Sequence, residues 1–107
     1  MLLPVTQLKR KQGVDFVGVA AGMNALLRPA LYDAHHPIVN LDRLDEPATQ
    51  TVTVVGPICE SGDVLARERR LPDCREGDVL LLAQAGAYGA VMANTYNRRP
   101  LLPEVIL

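Results

Sequence analysis

The chain has 107 residues, of which 49% are hydrophobic and 21% charged, so it fits one small globular domain and not a disordered segment. Eleven Lys and Arg residues against twelve Asp and Glu residues leave a net charge of −1, which argues against a nucleic-acid-binding module. The longest apolar run is about six residues, far short of the ~20 that a membrane span needs. Because no secretory pattern follows Met1, we expect a cytoplasmic protein with neither nucleic acid nor membrane as its partner.

The cysteines and histidines argue against a metal site. Cys59 and Cys74 are too few for a disulfide framework or a four-cysteine zinc site. The adjacent His35 and His36 do not share a face of a helix or strand, and their spacing from the cysteines is not that of a zinc finger. We therefore predict that no metal is bound.

The first third of the chain predicts a hairpin followed by short helical turns. Residues 5–10 and 14–19 alternate as strands do, and the basic, glycine-containing segment 9–13 between them is typical of a hairpin tip. Helix-forming residues dominate 22–34, where Pro29 suits the first turn of a short helix.

The remaining chain predicts further short strands. Residues 38–41 form a brief strand, the β-branched run 51–56 is the clearest one, and extended structure resumes at 64–67. The apolar run 78–83 is short enough for a buried strand, whereas 85–97 is ambiguous between helix and loop.

These elements predict an all-β fold with short helices, a Greek-key-like barrel or sandwich. Its core should be aliphatic, since only 4% of the residues are aromatic. A last extended segment is predicted from Arg99 to the C terminus, and its end, residues 104–107, is apolar. Because an uncovered apolar strand is a liability, we expect this tail to pair with another segment, within the chain or beyond it.

Arg28 and Tyr32 form the first candidate site. If the turn after Pro29 is helical, the two side chains lie four residues apart and face the same way. An arginine fork beside a tyrosine hydroxyl can clamp a substrate carboxylate. The alternative is a surface contact without function, which the spacing alone favours.

The second candidate is the loop 56–63, which contains Cys59, Glu60 and Asp63 between glycine and proline residues. A nucleophilic cysteine usually needs a positive environment, whereas the neighbouring Glu60 favours the protonated thiol. Cys59 therefore suits a proton donor better than a nucleophile. The alternative is a half-buried cysteine beside a turn.

The third candidate is Tyr88, which lies among small residues at 85–90. Small neighbours let a ligand approach the backbone closely and leave the hydroxyl free to bind a phosphate or carboxylate. The alternative is a packing residue at the rim of the core.

Together, and in this order, these loops resemble the C-terminal domain of the diaminopimelate decarboxylase family, within the fold type III (alanine-racemase-like) pyridoxal-phosphate enzymes. The resemblance runs from about Val14 to the C terminus and rests on five short motifs in register. The matching segments are residues 22–24 with 27–29 and Tyr32, then 56–63, 76–78, 85–89, and Asn94, Tyr96 and Asn97 with 99–100.

The resemblance implies a role for each candidate residue. Arg28 and Tyr32 would bind the substrate, Glu60 would contact its distal end, and Tyr88 would contact the cofactor and substrate. Cys59 would donate the proton that replaces carbon dioxide, reaching the homodimer partner's site together with Glu60. A glutamate directly after the cysteine resembles the diaminopimelate enzymes more than ornithine decarboxylases, which usually have aspartate there.

The same resemblance shows what this chain lacks. In the family, pyridoxal phosphate sits in an N-terminal (β/α)8 barrel of about 250 residues, whose lysine forms a Schiff base with it. The only lysines here are Lys9 and Lys11, in the predicted hairpin tip. We therefore expect residues 1–107 to be the C-terminal domain alone, inactive by itself and partnered by its own barrel. One departure from the family pattern is Ala20, where an aspartate is usual.

Other interpretations stay open. The chain is alternatively a stand-alone β-barrel module that binds a small anionic ligand through Arg28, Tyr32 and Tyr88. It is alternatively the same domain from a related pyridoxal-phosphate amino-acid decarboxylase, or part of a fusion with another lysine-pathway enzyme. As an isolated domain, we expect it to self-associate, because the surfaces meant for the barrel are bare.

Overall fold

Strands dominate the secondary structure, which the computed structural model describes for all 107 residues. No helix has the length and apolar character needed to cross a membrane. Two α-helices, α1 and α2, and two 3-10 turns are all short. The strands are β1 (Leu2–Lys11), β2 (Val14–Val19), β3 (Ile38–Asn40), β4 (Gln50–Val55), β5 (Val64–Leu71) and β6 (Val79–Leu82); the helices are α1 (Arg28–Tyr32) and α2 (Gly89–Met92); the 3-10 turns are Leu41–Arg43 and Tyr96–Arg98.

The predicted hairpin at the start of the chain is confirmed. β1 and β2 pair in antiparallel fashion, with Lys11 opposite Val14. Gln12 and Gly13 connect them with φ values of 51° and 80°. Two consecutive positive φ values are the pattern of a type I′ turn, whose twist matches that of the flanking strands.

All six strands belong to one sheet, in the order β3-β6-β1-β2-β4-β5. β2 and β4 are parallel, and every other neighbouring pair is antiparallel. The edge strands β3 and β5 contact each other. Beside them, Arg69 Nη1 donates a hydrogen bond of 2.9 Å to the carbonyl oxygen of His36. The sheet therefore curls until it is nearly closed, and the predicted all-β, barrel-like fold is confirmed.

The core inside this sheet is aliphatic, as the composition predicts. It contains 15 buried residues and no aromatic ring. Burial of each large aliphatic side chain contributes about 1.5–3 kcal/mol to folding. The largest of those that are almost completely buried are Leu3, Leu26, Leu65, Leu80 and Leu82.

β5 is longer than the pattern predicts, because it contains a β-bulge. Val52 of β4 pairs with Arg69, but Val54 pairs with Ala66, so β5 has one residue too many over this stretch. Glu68 within the bulge has a φ of 51°. A bulge interrupts the alternation of side chains between the two faces, which is why the sequence pattern ended the strand near Arg67.

The C-terminal segment is not part of the sheet. Residues 99–107 form no strand, and Ile106 and Leu107 are fully exposed. Of the two alternatives expected for this tail, pairing within the chain is not formed, and the edge strands β3 and β5 contact each other instead. Pairing with a segment beyond the chain stays a prediction.

Candidate active-site loops

The carboxylate of Asp63 joins two of the candidate loops. Asp63 is 3% exposed and lies just before β5. Its Oδ1 accepts a hydrogen bond of 2.6 Å from the backbone N–H of Met23, and its Oδ2 accepts one of 2.7 Å from that of Ile58. Because a buried carboxylate needs hydrogen-bond donors on both oxygens, these bonds fix the segment before α1 relative to the loop 56–63.

Two glycines make this junction possible. A Cβ atom built on Gly22 would overlap the carboxylate of Asp63, and one built on Gly56 would overlap both that carboxylate and the Cα atom of Gly22. The two backbone segments therefore approach each other more closely than any side chain allows. The requirement for glycine at these positions is steric, since neither has a positive φ.

The segment that begins at Gly22 is also tied to the C-terminal part of the chain. Asn24 is buried, and its Oδ1 accepts a hydrogen bond of 3.1 Å from the N–H of Gly22. The carbonyl oxygen of Asn24 accepts a bond of 2.8 Å from the N–H of Asn94. Residues 22–24 thus connect three regions: the start of α1, the loop 56–63 and the segment after α2.

Cys59 and Glu60 lie at the surface of the loop that Asp63 holds. Both side chains are exposed. The loop closes on itself, because the N–H of Asp63 donates to the carbonyl oxygen of Glu60 over 3.1 Å and the N–H of Gly56 donates to that of Asp63 over 3.1 Å. A thiol and a carboxylate are therefore presented side by side on a loop with a fixed backbone.

Tyr96, in the last 3-10 turn, contacts Glu60 of the loop 56–63. Its hydroxyl donates a hydrogen bond of 2.6 Å to Oε1 of Glu60. This hydrogen bond, with the negative charge of Glu60, raises the pKa of Tyr96 above its usual value. The phenol therefore stays protonated and acts as a donor to the carboxylate.

Arg28 lies against Tyr88. Its guanidinium carbon is 5.7 Å from the centre of the Tyr88 ring, a cation–π distance. The Tyr88 side chain is exposed, and a Cβ atom at the neighbouring Gly86 would meet nothing within 4 Å. The exposed Tyr88 ring is therefore accessible to a ligand.

Tyr32 ends the same short helix that Arg28 begins, as Pro29 predicts. The Tyr32 side chain is exposed and lines a groove between α1 and β5. Arg28 itself contacts the ring of Tyr88. The structure therefore brings Arg28 and Tyr88 together, and Glu60 and Tyr96 together, while Tyr32 faces the groove.

The comparison with known families settles which group this domain represents. The sequence model of the pyridoxal-dependent decarboxylase C-terminal sheet domain matches residues 1–86. The chain belongs to this family. Among curated relatives of this decarboxylase domain, the diaminopimelate decarboxylase of Neisseria meningitidis serogroup B is 49% identical over 107 residues, which are 100% of this chain and 25% of that protein.

Solved structures agree with this decarboxylase family. A crystal structure of diaminopimelate decarboxylase superposes with a TM-score of 0.93 at 42% identity, covering 99% of this chain and 28% of that one. The Helicobacter pylori diaminopimelate decarboxylase in complex with L-lysine has a TM-score of 0.84 at 40% identity, covering 94% of this chain and 24% of that one. The chain spans about a quarter of the length of the relatives that it matches.

The family name implies pyridoxal phosphate, and the residues here suit a contact with it but not its attachment. Lys9 and Lys11 are exposed at the hairpin end of β1. The buried residues Leu3 and Val5 lie near the other end of this strand. No lysine accompanies Tyr88 or Cys59 in their loops. The exposed Tyr88, between small residues, fits a residue that touches the cofactor from one side.

Sequence reasoning missed two residues of this arrangement. The sequence identifies Asp63 only as a loop carboxylate and Tyr96 only as part of a matching motif. Gly22 and Gly56 belong to the matching motifs, but nothing in the sequence shows that both meet Asp63, since Gly22 lies 41 positions before it. Nothing local signals the contact between Tyr96 and Glu60, which are 36 positions apart.

Proposed function

We propose that this chain is the C-terminal domain of a diaminopimelate decarboxylase, which removes one carboxyl group from meso-2,6-diaminopimelate to give L-lysine and carbon dioxide. The observation that carries the proposal is the exposed pair of Cys59 and Glu60 on a loop fixed by Asp63. It is supported by relatives of that name that match the whole chain and by the Helicobacter pylori relative, whose structure contains L-lysine.

The chemistry divides between the cofactor and this domain. Pyridoxal phosphate, when bound, delocalises the electron pair left behind as the carbon–carboxyl bond breaks. Cys59 then holds the proton at Sγ and transfers it to the carbon that has lost carbon dioxide; the resulting thiolate regains a proton from water. Arg28 and Tyr32 bind the substrate, Glu60 binds its distal end, and Tyr88 touches both cofactor and substrate.

The proposal extends to the assembly. The lysine that carries the cofactor would belong to an N-terminal barrel in the same polypeptide, and two copies would form a homodimer. In that dimer Cys59 and Glu60 of one subunit serve the site that contains Arg28 and Tyr88 of the other. Support comes from the family resemblance and from the exposure of Cys59 and Glu60, which leaves them available to a partner. By this proposal the 107 residues alone are inactive.

Substitution of Cys59→Ala in the full-length protein tests the proton-donor role. We expect kcat for carbon dioxide release from diaminopimelate to fall by about 100-fold or more, as general-acid groups contribute 10²–10⁴-fold. Cys74→Ala is the matched control, because Cys74 is buried in the core and its loss should leave kcat per folded molecule nearly unchanged. Near-normal turnover by Cys59→Ala would contradict the role.

Mixing subunits tests the two-subunit site. Inactive Cys59→Ala and Tyr88→Ala homodimers, exchanged with each other, should regain about a quarter of normal activity, because half of the dimers gain one intact site. No recovery on mixing would place Cys59 in the site of its own subunit. Failure of the unmodified full-length protein to decarboxylate diaminopimelate would contradict the proposed function itself.

A further inference from the structure

The backbone of Tyr96 is fixed by hydrogen bonds that do not involve Glu60. It begins the 3-10 turn Tyr96–Arg98, and its N–H donates a hydrogen bond of 3.1 Å to Oδ1 of Asn94. The N–H of Asn94 in turn donates to the carbonyl oxygen of Asn24, over 2.8 Å. The backbone of Tyr96 is therefore connected through Asn94 to the buried Asn24.

The backbone of Glu60 is fixed within the loop 56–63, but its carboxylate has little support. Its side chain is exposed, and its one hydrogen-bonding partner within the chain is the hydroxyl of Tyr96, at 2.6 Å. A free glutamate side chain loses up to about 2 kcal/mol of rotamer entropy when it is fixed on binding. A partner that fixes the side chain beforehand reduces that cost.

We infer that Tyr96 is a positioning residue that holds Glu60 so that its second carboxylate oxygen receives the ammonium group at the distal end of the substrate. The inference rests on the proposed function. Tyr96 occupies Oε1, and Oε2 stays free to accept a hydrogen bond. A carboxylate only accepts hydrogen bonds and carries negative charge, so its complement at the distal end is the ammonium and not the carboxylate of the substrate.

The variant Tyr96→Phe in the full-length, cofactor-loaded protein tests this role, because it removes the hydroxyl and keeps the ring. The two probes are L-lysine, which retains the distal ammonium and carboxylate, and 6-aminohexanoate, which is lysine without that ammonium. By isothermal titration we expect the Kd of L-lysine to rise about fivefold to tenfold, and that of 6-aminohexanoate to change less than about twofold. KM for diaminopimelate should rise by the same factor as the lysine Kd, with kcat nearly unchanged.

The Glu60→Ala background provides the control. There Tyr96→Phe should cause no further weakening of L-lysine binding, because Tyr96 acts through Glu60. Equal weakening of both probes, an unchanged lysine Kd, or an additive effect in the Glu60→Ala background would each overturn the inference. Binding is measured without turnover, so a protein that binds lysine but leaves diaminopimelate intact would contradict the proposed function and not the role of Tyr96.

Discussion

Two buried aspartates fix loops in this domain by different means. Asp63 accepts its two short hydrogen bonds from the backbone N–H groups of Met23 and Ile58. Asp78 is 7% exposed and is paired with a cation: Nε of Arg43 donates to its Oδ2 over 2.7 Å. Asn40 Nδ2 also donates to Asp78 Oδ2, over 2.8 Å. One carboxylate is thus bound by backbone N–H groups of two distant segments, whereas the other is bound by an ion pair, an amide and the nearby backbone N–H of Arg75.

The difference shows how each kind of junction constrains the sequence. Backbone donors reach Asp63 only because Gly22 and Gly56 let the main chain come close. Asp78 is reached mainly by the side chains of Arg43 and Asn40, and its one backbone donor is the N–H of Arg75 three residues before it, so no second loop has to come close. The first arrangement places two loops with high precision, which suits the loop of Cys59 and Glu60. The second joins the 3-10 turn after β3 to the start of β6 and supports the sheet edge.

The largest expected effect comes from Gly56→Ala. The added Cβ overlaps both the Asp63 carboxylate and the Cα atom of Gly22, and the backbone atom has no alternative rotamer. We expect the free energy of unfolding to fall by about 3 kcal/mol, measured by urea unfolding of the 107-residue chain. Gly62→Ala is the matched control in the same loop, because its Cβ meets nothing within 4 Å. Equal stability of the two variants would contradict the close-approach argument.

A smaller loss of stability is expected for Asp63→Asn, because the asparagine side chain has the same shape as that of aspartate. The amide nitrogen replaces one acceptor, so the N–H of either Met23 or Ile58 faces another donor. An unsatisfied buried donor costs about 1–3 kcal/mol, and we expect a loss of about 2 kcal/mol. Amide hydrogen exchange should accelerate at whichever of Met23 and Ile58 loses its acceptor, while the pairing of Leu3 with Leu80 keeps its protection. Unchanged exchange at both amides would show that Asp63 does not hold the two loops.

The smallest expected effect is the loss of folding stability at acid pH, when the carboxylate of Asp78 becomes protonated. Burial opposes its ionisation, but hydrogen bonds from Arg43, Asn40 and the N–H of Arg75 outweigh burial and lower its pKa from 3.8 to about 2. Because the folded-state pKa is the lower one, the stabilisation is fully present above about pH 4 and is lost as the pH falls towards 2. Allowing for solvent screening, we expect about 1 kcal/mol.

Comparison of Asp78→Asn with the parent chain isolates this contribution from other carboxylates. Urea unfolding between pH 5 and about pH 2 should show a weaker pH dependence in the variant. Parallel curves for the two proteins would mean that the carboxylate titrates alike in the folded and unfolded states.

Local patterns predicted the parts of the fold that depend on neighbours in sequence. The alternation on both sides of Gln12 and Gly13 identified the hairpin, and the β-branched run identified β4. The bulge at Glu68 was not predictable, because its positive φ is imposed by pairing with β4. The partner of the C-terminal tail was not predictable for a similar reason, since an apolar pattern shows that a segment can pair but not whether its partner lies within the chain or beyond it.

The candidate site residues, like the fold, were predictable only where the signal is local in sequence. Cys59 and Glu60 were identifiable from their loop, and Tyr88 from its small neighbours. That Arg28 lies against Tyr88, and that Glu60 is bound by Tyr96, depends on loops far apart in sequence. Such contacts follow from the whole sheet and from the junction at Asp63, and no single motif specifies them.

The parallel pairing of β2 with β4 has a consequence for the order in which the chain folds. The β1–β2 hairpin closes over a two-residue turn, whereas Asp15 pairs with Val52 across the whole connection that contains α1 and β3. The bond between Met23 and Asp63 spans 40 positions. Since closing longer loops costs more chain entropy and slows folding, the hairpin should form early and the Asp63 junction late. A newly made chain would therefore have its first two strands in register before its chemically important surface exists.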